Sequence, residues 1–243
     1  MKKIVFLLLL ITLSTGYYYK EQIIHLDFFD VKTIQISESK HYDFNSLLKE
    51  VAPKEKISVF DIDLTELEKR LFKLSWIKKV QISKVLPDKL YITITEHKID
   101  GVVLFDSLYF FDKDYQVFLK PEIKKTNPYI IFSGLKKETY KNNFNYFKKQ
   151  IKEMKKIAKI FKLSDLSKDN EIDEIYLSKF RGYHIILKNG TKILLKNNDY
   201  FLTFNRVKKI ISKSMERKEV VTTIIFDELK AKNKVIVKLR EDT

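Results

Sequence analysis

Residues 64–96 read LTELEKRLFKLSWIKKVQISKVLPDKLYITITE, and this stretch decides the fold of the first half of the chain. Leu64, Leu67, Leu71 and Leu74 recur at helical spacing, with Glu66, Glu68, Lys69, Arg70 and Lys73 between them. That pattern predicts an amphipathic helix with a single apolar stripe. Two capping boxes are available at its start, Asp63 with Glu66 or Thr65 with Glu68, and either satisfies orphan N–H groups and suits the helix dipole. Past Trp76 the apolar period falls from about 3.6 residues to about 2. Ile77, Val80 and Ile82, then Leu90, Ile92 and Ile94, alternate with Lys, Gln, Ser, Tyr and Thr, so two strands with one buried face follow the helix. Leu86-Pro87-Asp88-Lys89 stands between them, where Pro fixes φ and Asp bonds its own backbone, which predicts an antiparallel pair.

Upstream, residues 31–36 alternate as a first strand, and residues 44–51 form a short helix with Leu47, Leu48 and Val51 apolar and Pro53 stopping it. The order is β-α-α-β-β, for which a three-stranded sheet with two helices on one face buries every amphipathic element. Trp76-Ile77-x-x-Val80-x-Ile82, followed by Leu86-Pro87-Asp88-x-Leu90-x-Ile92-x-Ile94-x-Glu96, resembles the motif that closes the POTRA domain of the bacterial cell-division family FtsQ/DivIB. POTRA domains also precede outer-membrane barrels of assembly and secretion systems. Where that family carries a Gly after its first strand, Ser37-Glu38-Ser39 stands here, so the turn is expected to differ.

The second half continues the resemblance. Residues 102–105 and 109–111 read as strands, and Asp112-Lys113-Asp114-Tyr115-Gln116 leads into Val117-Phe118. This resembles the family's D-x-x-G-x-V-F without its Gly, and a longer or Asp-based turn is expected in its place. Pro128 to Gly134 resembles the P-x-x-x-x-G segment that enters the family's β domain. Phe144, Phe147, Ile151, Met154, Ile157, Ala158 and Phe161 share one face of a long helix, which suits packing on the following sheet, with a membrane-surface helix as the alternative. Strands follow at residues 172–177, 183–187 and 192–195, the last two closed by Asn189-Gly190. A further helical stripe of Phe201, Phe204, Val207, Ile210 and Ile211 precedes closing strands at 220–226 and 235–239. The family's D-L-R-Y aligns loosely with Asp227-Glu228-Leu229-Lys230, keeping only the Asp in place.

The whole is an α+β chain: 1–20 a short cytoplasmic start and membrane anchor, 21–98 a POTRA domain, and 99–243 a mixed α/β domain with a largely antiparallel sheet. Met1-Lys2-Lys3 precedes an apolar run to which Ile4, Phe6, Leu9 and Leu13 contribute, with Tyr17 and Tyr19 as an interfacial belt. At about 16 residues the run is short against the roughly 20 that cross a bilayer, and Ser14-x-Gly16 offers a cleavage site, so an uncleaved anchor and a cleaved signal are both open. Either fate leaves the bulk of the chain outside the cytoplasmic membrane.

Net charge is +15 and there is no Cys, which removes disulfides, thiolate catalysis and Cys-based metal sites. The cations are overwhelmingly Lys, with Arg at only five positions (70, 181, 206, 217 and 240), which argues against nucleic acid as a partner. The four His residues are scattered, Glu96-His97 reads as a strand-end polar cluster, and Asp61-x-Asp63 reads as a turn and cap. No cofactor, metal or small-molecule substrate is expected.

The resemblance implies a single-pass scaffold of the division septum in the cytoplasmic membrane. Such a protein recruits FtsB- and FtsL-like division proteins and helps regulate septal peptidoglycan synthesis. A terminal strand over residues 234–239 suits partner binding by strand addition. The candidate contacts are Phe226, Lys230, Lys234, Val235, Val237 and Lys238, with Ile210, Lys213 and Arg217 on the preceding helix as a second contact. Two alternatives are an outer-membrane translocation POTRA protein, for whose barrel the remaining residues leave no room, and an exported enzyme or carbohydrate binder. A buried pocket with paired carboxylates would favour the enzyme.

Overall fold

The computed structural model describes Ser14, 27–119, 129–195, 199–227 and 234–240. It divides into two compact units between His97 and Lys98. Among the described residues no helix is long and apolar enough to cross a membrane. The anchor residues Ile4, Phe6, Leu9, Leu13, Tyr17 and Tyr19 lie outside the described residues.

The first unit runs β1 (Thr33–Ile36), α1 (Phe44–Val51), α2 (Leu64–Leu71), β2 (Ile77–Val85) and β3 (Lys89–Glu96). Its sheet is ordered β1-β3-β2. β2 and β3 are antiparallel, as the alternation and the Pro-Asp turn predict, whereas β1 joins β3 in parallel. Asp63 is the N-cap of α2, accepting from Thr65 N at 2.8 Å and Glu66 N at 3.2 Å, while Glu66 Oε1 takes the Arg70 guanidinium one turn on. The helix stops at Leu71, and Leu74 follows in a tighter turn, its N–H bonded to Leu71 O. Ile77 and Val80 are both buried although three residues apart, because the register shifts between Ile77 and Lys79 and a bulge takes up the odd residue. Leu47, Val51, Leu67, Leu71, Leu90 and Ile92 complete the core.

The second unit contains β4 (Gly101–Leu104), β5 (Leu108–Phe111), β6 (Val117–Leu119), β7 (Ile131–Ser133), α3 (Lys137–Asn142) and α4 (Phe144–Leu163). A 3-10 turn at Asp165–Lys168 follows, then β8 (Ile172–Ser178), β9 (Gly182–Leu187), β10 (Lys192–Leu195), α5 (Tyr200–Glu216), β11 (Val221–Asp227) and β12 (Lys234–Leu239). One nine-stranded sheet takes the order β12-β11-β10-β9-β8-β7-β4-β5-β6. Most neighbours are antiparallel, as expected, but β4–β7, β7–β8 and β10–β11 are parallel. The α3–α4 segment makes the crossover between β7 and β8, and α5 makes the one between β10 and β11.

Phe147, Ile151, Met154, Ile157 and Phe161 form the buried stripe of α4. They meet Phe132, Ile175, Ile185, Ile193 and Ile224, alternate residues from the strands, in one core. Each such side chain contributes on the order of 1.5–3 kcal/mol by leaving water. The stripe of α5 is rotated from its expected setting: Tyr200, Thr203, Phe204, Val207 and Ile211 are buried, whereas Phe201 is 50% exposed. α3 has no buried residue, and so no apolar period by which the sequence could announce it.

Candidate interaction site

β12 is the outermost strand of the nine-stranded sheet, and β11 is its one neighbour. The antiparallel register aligns Ile224 with Val237, Ile225 with Ile236 and Phe226 with Val235. Its outer side therefore carries backbone groups with no strand partner among the described residues, a ladder that a further strand can extend. Side chains of β12 alternate: Val235 and Val237 pack against the core, while Ile236, 46% exposed, and Lys238 face solvent.

That alternation sorts the sequence-derived candidates. Phe226 is a core residue, 6% exposed, with the Arg206 guanidinium 5.6 Å over its ring. Val235 and Val237 are partly buried and pack against the same core from β12. Ile236 is an outward apolar side chain of the strand, and Leu239 at its end is 41% exposed. Lys238 is exposed as expected. The backbone of Lys234 opens β12, while its side chain and the whole of Lys230 lie outside the described residues.

On α5, Ile210 packs partly against the core, and Lys213 and Arg217 are exposed. Lys213 lines an open cleft of about 740 Å³ along the outer face of that helix, together with Leu163, Phe201 and Lys208. A second cleft of about 680 Å³ lies beside the C-terminal half of α4. Its one carboxylate, Glu171, pairs with Lys188, so the paired carboxylates of a hydrolytic site are not found there. Among the described residues no group of three His, Asp or Glu side chains is placed to hold a metal ion.

The first unit holds a built polar cluster at the end of β3. Glu96 Oε1 accepts from Ser39 Oγ at 2.5 Å and from the N–H groups of Lys40 and His41 at 3.2 Å. Its other oxygen meets His41 Nδ1 at 2.9 Å. Burial pushes the Glu96 carboxyl up, but the bonds from Ser39 and His41 outweigh it and hold the group below its ordinary range. The strand-end cluster read from Glu96-His97 thus exists, with His41 as the histidine that faces the carboxylate. His97 is buried, and its N–H bonds Trp76 O at 2.8 Å.

At the β5–β6 turn, Asp112 is buried and its Oδ1 accepts from Asp114 N at 2.9 Å and Gln116 N at 3.0 Å, the Asp-based turn the missing Gly led us to expect. Tyr115, at the Gly position of the resembled pattern, keeps a left-handed backbone with φ 65°. Its ring stacks on Phe111 and lies under the Lys148 ammonium.

Residues 29–97 match the family model described as POTRA domain, FtsQ-type. The cell division protein FtsQ of Syntrophotalea carbinolica is 23% identical over 216 residues, 88% of this chain and 75% of that protein. Its counterpart in Geotalea daltonii is 24% identical over 214 residues, 87% of this chain and 76% of the relative. For that of Geobacter sp. strain M21 the identity is 22% over 210 residues, covering 86% and 75%.

Proposed function

We propose that this chain is a member of the FtsQ family of cell division proteins, which it resembles over most of its length, and a division scaffold held in the bacterial cytoplasmic membrane by residues 1–20. The two units face the cell-wall space at the septum. There they recruit or bridge FtsB- and FtsL-like proteins and help regulate septal peptidoglycan synthesis. The observation that carries this reading is β12, an edge strand with one neighbour and an open outer ladder. A partner segment that pairs with it gains main-chain hydrogen bonds, while Ile236 and Lys238 read its side chains. The exposed Lys238, Lys213 and Arg217 favour an acidic partner and discourage β12 from pairing with a second copy of itself.

Pull-down of the full chain from dividing cells, followed by mass spectrometry, tests the reading. Ile236→Glu with Lys238→Glu is expected to deplete the captured division proteins and to weaken septal localisation at unchanged fold. Undiminished capture by that folded variant would remove β12 as the docking edge.

A further inference from the structure

The cleft of about 680 Å³ beside α4 lies in the second unit and is lined by residues of α4, of the 3-10 turn that follows it, and of the chain entering β7 and β8. Its floor is apolar: Ala158 and Ile130 are partly buried, and Phe161 and Ile172 belong to the core. Ala158 makes the room, being the small residue in a helical stripe otherwise filled by Ile, Met and Phe. The rim is cationic, with four lysines against one glutamate. Two of those lysines are occupied, Lys168 by Asp165 at 2.7 Å and Lys188 by Glu171. Lys159 and Lys162, one turn apart on α4 and exposed, have no acidic partner among the described residues.

We propose that this cleft is a second docking site, separate from the β12 edge, that takes an acidic peptide segment of a partner protein carrying one large apolar side chain. The apolar side chain settles on Ala158 and Phe161, and flanking carboxylates meet Lys159 and Lys162. The occupant follows from the shape and the charge together. A bare anion leaves the apolar floor uncovered, and a bilayer cannot press into a concavity. The volume lies within the few hundred to about 1,000 Å³ of small binding pockets, enough for one aromatic side chain with its neighbours.

The test titrates the full chain, in neutral detergent, into fluorescein-labelled hexapeptides with one Phe, Leu or Trp flanked by Asp or Glu, and reads fluorescence polarisation. Saturable binding by members of this panel is expected, weakened by salt and absent for counterparts with Lys in place of the acids. Lys159→Gln with Lys162→Gln should weaken it by about tenfold or more, and Ala158→Trp should abolish it at unchanged circular dichroism. Should Ala158→Trp unfold the chain, the lysine pair alone decides. Ile236→Glu at β12 should leave peptide binding untouched, which separates failure of this site from failure of the edge strand. Equal binding by the lysine variant, no binding by any acidic peptide, or loss caused by Ile236→Glu would each overturn the proposal. So would a lysine variant whose one deficit is weaker flotation with phosphatidylglycerol vesicles, which would assign the lysines to a membrane surface.

Discussion

The imidazole of His41 lies flat on the indole of Trp76, ring centroids 3.5 Å apart and planes 6° from parallel, while its Nδ1 faces Glu96 at 2.9 Å. Trp76 marks the corner between α2 and β2, and Glu96 ends β3, so this one side chain ties the loop after β1 to both ends of the hairpin. Glu96→Gln keeps the shape and removes the charge, and we expect it to cost about 1–2 kcal/mol at neutral pH. The carboxyl is held below its ordinary 4.5, so its contribution is present above that value and is lost as pH falls through the lower folded value. Thermal melts of wild type and variant should therefore converge on acidification below 4.5, and parallel curves would refute the assignment.

Tyr115 pays for a left-handed backbone with its ring. An L-residue at φ 65° costs roughly 1–2 kcal/mol, and stacking on Phe111 offsets part of that. Tyr115→Gly loses the stack and relieves the backbone, whereas Tyr115→Ala loses the stack and keeps the strain. Gly should therefore be better tolerated than Ala by about 1 kcal/mol in denaturant unfolding.

Much of this fold was legible because its elements announce themselves by period. The α2 stripe, the β2 and β3 alternation and the stripe of α4 each put their apolar residues on one face. Pairing across distance was not legible. Nothing near Lys192 signals that β10 lies parallel to β11, and His41 and Glu96 stand 55 residues apart. A helical stripe places Phe201 in the core beside Phe204, but the buried face of α5 is centred on Tyr200, Phe204 and Val207. At β12 the strand and its terminal position were readable, whereas which side chains face out depended on a phase that a short run of Val and Ile does not reveal.

Two glycines with similar backbones should respond differently to substitution. Gly134 has φ 81°, and a Cβ there would run into the backbone of Leu177 on the neighbouring strand. Gly190, in the Asn189-Gly190 turn, has φ 87° with nothing within 4 Å of its Cβ position. Gly190→Ala is expected to cost about 1 kcal/mol from strain alone. Gly134→Ala must also push β7 from β8 and should cost clearly more, about 3 kcal/mol or above. Thermal denaturation of the two variants side by side is the check.

Adjacent residues of β12 should separate stability from docking. Val237→Glu puts a carboxylate against the core and is expected to destabilise by about 3 kcal/mol or more, lowering partner capture through unfolding. Ile236→Glu places the same charge in solvent, so its melting temperature should stay near wild type while capture falls. If Ile236→Glu melts early, the outward assignment is wrong.

Alkaline pH probes the packing of α4 on the sheet. Tyr183 donates to Gln150 Oε1 at 2.5 Å and Tyr200 to Glu153 Oε1 at 3.0 Å. Burial, with the Glu153 charge added, pushes Tyr183 up to about 12, and burial with the Glu153 bond and charge raises Tyr200 as well. Both phenols are then fully supportive below their ordinary value of 10.0, and stability falls as pH rises from there towards the folded value, because the unfolded chain releases these protons first. Phenolate absorbance should show Tyr183 and Tyr200 still protonated at pH 10 in the native protein and ionising at higher pH than in the unfolded chain. Tyr183→Phe should flatten the alkaline decline in stability, since it removes one of the linked protons. An unaltered slope would mean that the Tyr183 phenol is hydrated, and that α4 sits more loosely on β9 than its bond to Gln150 implies.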